Sequence, residues 1–477
     1  MTINSAIKKF ERMSPVAKTS LVLIIAKFFQ KGLAMISSPI FTRIMPSSEY
    51  GIISTFTSWQ SVLYIVATLN MASGVFNNGM LEFKEDRDSF TFSILTLANM
   101  CTCVCVGVFF LFYKWLNPLL DMPNILLWVM LAYFFVTPAY NYWLGRSRFE
   151  YSYKQLFFVS ILTSFFSTVA AILLVLYTPE NMKAIVKVLT TESVAILLGV
   201  VFYIRTVVKS HARLKIKYWK YALSINLPLV PHYLSMYVLS SSDRIMITKL
   251  INTSATAIYN VAYTAAAVVL IFWNSIDAAY APWIYQKMEG KEYSALQKRA
   301  MEVILLFAGC AVCVTLFAPE IMMILGPEEY YGGIYVIPSV VAGVFFTAVF
   351  TLYMRIELYL KKSSTIMVAT VLSAVANLVL NYLFIPRIGY TAAGYTTLVC
   401  YILLAAFHAI NLKRLGYGNV YNNKQIWSVA GVVCVVIVSV SLVYPYIIVR
   451  YSLIGILLVI LFYKRKEIMS IVRKKKH

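Results

Sequence analysis

Lys27 and Lys31 stand four residues apart in an apolar stretch, LVLIIAKFFQKGLAMISSPIF, so on a helix they share one face. By helical rise Lys27 lies about 15 Å in from Ala17, near the middle of a bilayer. Two ammonium groups held at that depth need anionic company, and the chemistry they point to is binding of a negatively charged substrate in a water-filled cavity. The other reading starts the helix after Lys31 and leaves both lysines interfacial. GLAMISSPIFTRIM would then be too short to span comfortably, which favours burial.

Glu192 and Asp277 are the acidic residues furthest inside apolar segments, and each can hold a coupling proton or cation or pair with a lysine of the cavity. Lys187 is five residues from Glu192, off the same-face spacing, so a local pair is not expected. Asp277, in FWNSIDAAYAPWIYQKM, lies near a helix end and can reach water. Asp243 and Arg244 read most plainly as a solvated pair at the outer end of a helix; the sharper option is a gating contact. Pro228 and Pro231 remove donors to the carbonyls of Ser224 and Leu227, so the helix can bend there, either as the hinge of a gate or as a static kink. His232 and Asn226 share that region, and a lone histidine is more often hydrogen-bonded inside a bundle than a ligand.

Catalytic signatures are missing. The sequence has no GxxxxGK[ST] phosphate loop, HExxH or GxSxG, so ATP hydrolysis and those hydrolase mechanisms have no motif to stand on. The seven cysteines all fall in apolar segments. Cys310 and Cys313 have CxxC spacing but no His or Cys pair nearby, so packing is expected, with no metal and no cofactor beyond a coupling H+ or Na+. Tyr140, Tyr142 and Trp143, and Tyr330, Tyr331 and Tyr335, sit at expected span boundaries, where an aromatic belt accounts for them.

The elements that must carry these groups are membrane spans. The chain has 477 residues, 60% hydrophobic and 13% charged, with mean hydropathy +0.74, and this defines an all-α polytopic membrane protein. Its net charge of +22 resides in short loops between apolar runs, which argues against a nucleic-acid partner. Fourteen candidate spans run from residues 17–40 to 448–463. The first lacks a cleavage site and reads as a retained helix. With the N-terminus inside, 32 of the 42 Lys and Arg residues fall on the cytoplasmic side, so both termini are expected there.

The basic run RTVVKSHARLKIKYWK, from Arg205, joins two halves. FTRIMPSSEYGIISTF, from Phe41, matches ITKLINTSATAIYNVA, from Ile247, at an offset of 206, an internal repeat. The expected organisation is a six-helix bundle (1–208), a cytoplasmic linker (209–220), a second bundle (221–413), and two extra helices with a basic tail (414–477). An even number of spans in the first half makes the halves parallel repeats around a central cavity.

The chain resembles bacterial polysaccharide flippases of the O-antigen and capsule (Wzx) type, within the multidrug/oligosaccharidyl-lipid/polysaccharide (MOP) superfamily. The resemblance covers the whole length and is carried by the fourteen-span plan and by SSPIFTRIMPSSEYGIISTF, SINLPLVPHYLSMYVLSSSDRIMITKL and AAYAPWIYQKM. It implies transport of an undecaprenyl-diphosphate-linked oligosaccharide from the cytoplasmic to the outer leaflet of the inner membrane by alternating access, without catalysis. Relatives that flip the peptidoglycan precursor commonly carry a basic residue about three turns before the Arg that ends the first helix. Lys31, twelve residues before Arg43, matches that placement, so the resemblance implies a diphosphate contact there; Lys27, Arg43 and His232 complete the cavity candidates. The aligned position in the second half is Tyr237, so the cationic site is lopsided. The lipid tail is expected to stay in the bilayer, along the two extra helices. Other polysaccharide-assembly membrane proteins are conceivable partners. A monomer is expected, since one chain already builds a cavity.

Two alternatives stay open. A multidrug or cation antiporter of the same fold favours acids deep in the cavity, whereas the midplane charges here are basic. A membrane glycosyltransferase or polymerase wants a sizeable outer loop or an acid/base cluster, and residues 319–332 offer only Glu320, Glu328 and Glu329.

Overall fold

The computed structural model describes Met13 and residues 15–463. The cationic residues at positions 1–12 and the basic tail 464–477 lie outside the described residues. The described chain is helical, with no strand among the described residues. Among the described residues, eleven helices are long and apolar enough to cross a membrane.

The chain divides into two compact units between Tyr237 and Val238. The first holds α1 (Pro15–Ile44), α2 (Ser47–Thr68), α3 (Val75–Glu82), α4 (Arg87–Leu111), α5 (Tyr113–Leu120), α6 (Asn124–Phe149), α7 (Tyr153–Leu176), α8 (Lys183–Ser210) and α9 (Ile216–Asn226). It also holds the first turns of α10 (Val230–Leu250), and the division falls within that helix. α1 packs along α7, and α6 lies along α8. Gly199 of α8 lets these two helices approach closely, because a Cβ there would meet the Val136 carbonyl carbon at 2.8 Å.

Three of the fourteen expected spans are less than full apolar helices. The span expected at 51–75 stops at Thr68, where Leu69 and Asn70 adopt left-handed backbone conformations. That expected at 221–242 is broken by a 3-10 turn, Leu227–Leu229, holding Pro228; Pro231 follows in the first turn of α10. The last is short, with an apolar core of Ile447–Val459. Missing proline donors and a left-handed helix end are the local causes of the first two.

The segment 209–220 is packed, not a bare linker. Tyr218 and Ala222 of α9 are buried in an aromatic core with Phe76, Phe90, Tyr142 and Trp143. Phe76 stacks on Tyr142 at 4.6 Å and Trp143 on Phe202 at 4.2 Å. The aromatic-belt expectation therefore fails for Tyr142 and Trp143, and for the fully buried Tyr330; it suits Tyr335, which is exposed.

The second unit continues with α11 (Thr253–Glu289), α12 (Tyr293–Leu316), α13 (Ala318–Leu325), α14 (Ile337–Tyr359), α15 (Ser363–Ile388), α16 (Thr391–Arg414), α17 (Asn423–Ser439) and α18 (Ile447–Tyr463). α14, buried along most of its length, is its central helix and packs against α11, α12, α16 and α17. α1 ends at Ile44 and α2 begins at Ser47; α10 ends at Leu250 and α11 begins at Thr253. Both boundaries repeat at the 206-residue offset read from the sequence.

Candidate functional site

α1 is continuous through Lys27 and Lys31, so the reading that starts the helix after Lys31 is set aside. Both side chains are exposed on α1, on the side away from its buried residues Val22 and Ala26. Arg43 is also exposed and donates to the Pro39 carbonyl at 2.9 Å. At the α1–α2 corner, the Lys183 ammonium donates to the Ile44 carbonyl at 2.6 Å. The buried Glu49 carboxylate accepts the Ala184 backbone N–H at 2.8 Å, which fixes this turn against the start of α8.

The first unit contains a polar cavity of about 320 Å³ between the C-terminal halves of α2 and α6. Its wall carries Gln60, Tyr64, Tyr133, Asn141, Arg148 and Tyr237. The Asn141 amide donates to the Tyr64 hydroxyl at 2.8 Å, and the Tyr64 ring meets Tyr133 edge-on at 6.0 Å. Arg148 ends α6 with its side chain exposed. Glu192 stands behind this wall and accepts from Gln60 at 3.1 Å. Lys187 lies over the Phe41 ring at 5.1 Å. Such a surface offers amide and phenol hydrogen bonds, aromatic faces and a guanidinium, a set that suits hydroxyl-rich and anionic groups.

Of these lining groups, the sequence alone singles out only Tyr237, as a position lacking a base. Asn141, an amide inside an apolar run, was the available signal.

Around the proline break, the buried Asn226 side chain donates to the Leu69 carbonyl, tying α9 to the end of α2. His232 is half-buried, with its ring 6.0 Å from Tyr233. Tyr233 in turn closes on Gly74, where a Cβ would meet its hydroxyl at 2.8 Å.

In the second unit, Asp243 and Arg244 are not a solvated end pair. Asp243 is 0% exposed and Arg244 9%. The carboxylate accepts from the Tyr259 hydroxyl at 2.5 Å, the Asn381 amide at 2.7 Å and the Thr397 hydroxyl at 3.1 Å. Asn377 joins the network by donating to Thr397 at 3.0 Å. Arg244 points elsewhere, to Asn260 at 2.7 Å and over the Tyr263 ring at 4.3 Å. Helix faces 100° apart explain the divergence, and partners on α15 and α16, more than 130 residues away, explain why local sequence hid the burial. Asp277 is held by the Arg355 guanidinium, whose Nε donates at 3.0 Å. All seven cysteines are free, and no group of three or more metal-ligating side chains occurs among the described residues.

The fold of this chain is shared by solved membrane transporters. The inward closed lipid II flippase MurJ superposes with a TM-score of 0.67 at 12% identity, covering 94% of this chain and 100% of that one. An inward-facing multidrug resistance MATE transporter gives 0.57 at 11% identity, over 81% and 95% of the two chains. A MOP superfamily transporter from Pyrococcus furiosus, described as having a binding pocket of reversed polarity, gives 0.50 at 15%, over 86% and 98%. Identities this low show the fold alone. Residues 16–288, more than half of the chain, match the model of the polysaccharide biosynthesis protein family, and the chain belongs to that family. No curated protein matches by sequence. The family resemblance read from the sequence is borne out.

Proposed function

We propose that this protein transfers a lipid-linked oligosaccharide, carried on undecaprenyl diphosphate, from the cytoplasmic to the outer leaflet of a bacterial inner membrane by alternating access. The observation that carries the reading is the polar cavity of the first unit. Within a membrane-spanning body of the polysaccharide biosynthesis family, its tyrosine and amide wall suits sugar hydroxyls, and Arg148 suits a diphosphate. On the positive-inside orientation the cavity lies toward the cytoplasmic end, where such a substrate would load. Lys27 and Lys31, exposed on α1, add positive charge for the same anion. The break at Leu227–Leu229 is the hinge of this cycle, and the Asp243 network is its coupling site for a proton or sodium ion.

A multidrug antiporter shares the fold. A cation drug, however, would meet Arg148 in the wall, with Glu192 bonded behind Gln60. The deciding experiment is deletion of the protein with analysis of surface polysaccharide and of undecaprenyl-linked intermediates. The flippase reading expects loss of surface polymer with accumulation of the completed lipid-linked unit on the cytoplasmic leaflet, and the same phenotype from Lys31→Ala at normal protein level. A missing or truncated lipid-linked unit would overturn it in favour of an enzyme.

A further inference from the structure

Glu357 of α14 and His408 of α16 are both 0% exposed, inside two membrane-spanning helices. His408 Nδ1 lies 2.8 Å from one Glu357 oxygen, and the Asn411 amide donates to the other at 2.7 Å. His408 Nε2 is buried without any hydrogen-bond partner. Phe350 stacks on the imidazole at 6.0 Å, and Phe407 meets it edge-on at 5.9 Å.

Among the described residues, no lysine or arginine is bonded to Glu357. Arg355, two residues earlier, is committed to Asp277 of α11. On α14 itself Tyr353 donates to Asn423 of α17, and Tyr359 lies against Tyr285 of α11 at 6.0 Å. On α16, Tyr401 stacks on the Phe350 ring at 6.0 Å, while Lys413 and Arg414 are exposed at the helix end. α15 carries no charged residue between Lys362 and Arg387, and Lys424 of α17 is exposed.

At 2.8 Å a proton must lie between Nδ1 and the carboxylate, since two lone pairs would repel. A neutral imidazole supplies that proton and leaves the sealed pair with one negative charge, which is costly in an apolar interior. One further proton, on Nε2, makes the pair an imidazolium carboxylate with no net charge. That proton then has nowhere to go, because Nε2 touches no acceptor.

Resting on the transport reading above, we propose that Glu357 and His408 form a proton-binding site, separate from Asp243, that holds two protons when loaded and releases one from His408 Nε2 to water. The step is balanced: imidazolium and carboxylate become neutral imidazole and carboxylate, and the proton passes to water.

The test uses the full-length protein with His408→Asn and Glu357→Gln. The Asn amide nitrogen replaces Nδ1 as donor to Glu357 but cannot titrate, so a purely structural pin survives that change. In proteoliposomes, wild-type movement of a fluorescent undecaprenyl diphosphate oligosaccharide should respond to an imposed pH gradient, and both variants should lose the response while keeping the wild-type melting temperature. An undiminished response in His408→Asn overturns the proposal. Infrared difference spectra of the substrate-free protein between acid and neutral pH test the site independently of transport. Imidazole and carboxylate bands that vanish in both variants support it; spectra identical to wild type overturn it. Silent wild-type vesicles with variant-sensitive spectra would instead count against the transport reading.

Discussion

The carboxylate of Asp243 receives the Tyr259 hydroxyl at 2.5 Å, while its neighbour Arg244 turns to Asn260 and the face of Tyr263. Removing the carboxylate strands three buried donors, from Tyr259, Asn381 and Thr397, and each unsatisfied group costs about 1–3 kcal/mol. Asp243→Ala is therefore expected to lower unfolding stability by at least ~3 kcal/mol in detergent. Asp243→Asn keeps an acceptor and should cost clearly less, yet weaken the sodium or proton dependence of transport. Unchanged ion dependence in Asp243→Asn would remove it as the coupling site.

A second expectation concerns pH. Burial pushes the Asp86 carboxyl up, but hydrogen bonds from Lys215, Tyr218 and Ser89 and the Lys215 charge outweigh it and hold the group at about 2. Its folded value lies below the unfolded value near ~3.9. The stability it adds is thus complete above about pH 4 and disappears as pH falls toward 2. Asp86→Asn should cost about 1 kcal/mol at neutral pH after allowance for solvent screening, because the Lys215 partner is 41% exposed. Melting curves of variant and wild type should converge as the pH drops through that window; parallel curves would show that the latch on α9 contributes nothing.

Packing supplies a third. Gly199→Leu drives side-chain carbon into the Val136 backbone and should cost roughly 1–3 kcal/mol by separating α6 from α8. Gly107→Ala, where no atom lies within 4 Å, is the control and should be neutral or slightly stabilising by helix propensity. Thermal unfolding in detergent compares them directly.

Arg148 is the cation of the polar cavity. Arg148→Ala should weaken binding of a short-chain prenyl diphosphate by about 1.5–3 kcal/mol, the range for a hydrogen bond to a charged group. Arg148→Lys should recover only part, having lost the bidentate fork. Calorimetric titration in detergent reads both, and equal affinities across the three proteins would remove Arg148 from the site.

What the sequence disclosed and what it hid divide by range. The repeat of the α1–α2 corner at α10–α11 and the proline break are local or periodic features, legible from an offset of 206 and the positions of Pro228 and Pro231, although the helices run to Ile44 and Leu250, past the expected ends at 40 and 242. Asp243, Glu357 and the cavity wall depend on partners 16 to 154 residues distant, on other helices. Glu357 sits in a charged-looking stretch, MRIELYLKK, where nothing local shows that Arg355 turns to Asp277 and leaves the glutamate to His408. Likewise Tyr142 and Trp143 suit a helix end at the interface, and only the arrival of α3, α8 and α9 makes them core.

The attachment of α18 gives the last prediction. Arg450, 4% exposed, holds both oxygens of Glu320 at 2.5 and 2.6 Å and reaches the Leu316 carbonyl at 3.1 Å; Tyr451 adds a bond to the same carboxylate at 2.7 Å. Burial pushes the Glu320 carboxyl up, yet the bonds from Arg450 and Tyr451 pull it below its ordinary value, which marks the pair as ionised. α18 is short, so lipid burial alone anchors it poorly, and this fork fixes it to the end of α12 and the start of α13. Losing one partner of such a pair leaves the other charge uncompensated, a cost of about 3–5 kcal/mol when fully buried and less for the part-exposed Glu320. Arg450→Ala should therefore free α18 locally, with faster amide hydrogen exchange across Ile447–Tyr463, while α14 and α16 keep wild-type protection. The double variant Arg450→Ala with Glu320→Ala should recover part of the lost stability, since no orphan charge remains. Equal exchange in wild type and Arg450→Ala would show that α18 is held by lipid and packing without the fork.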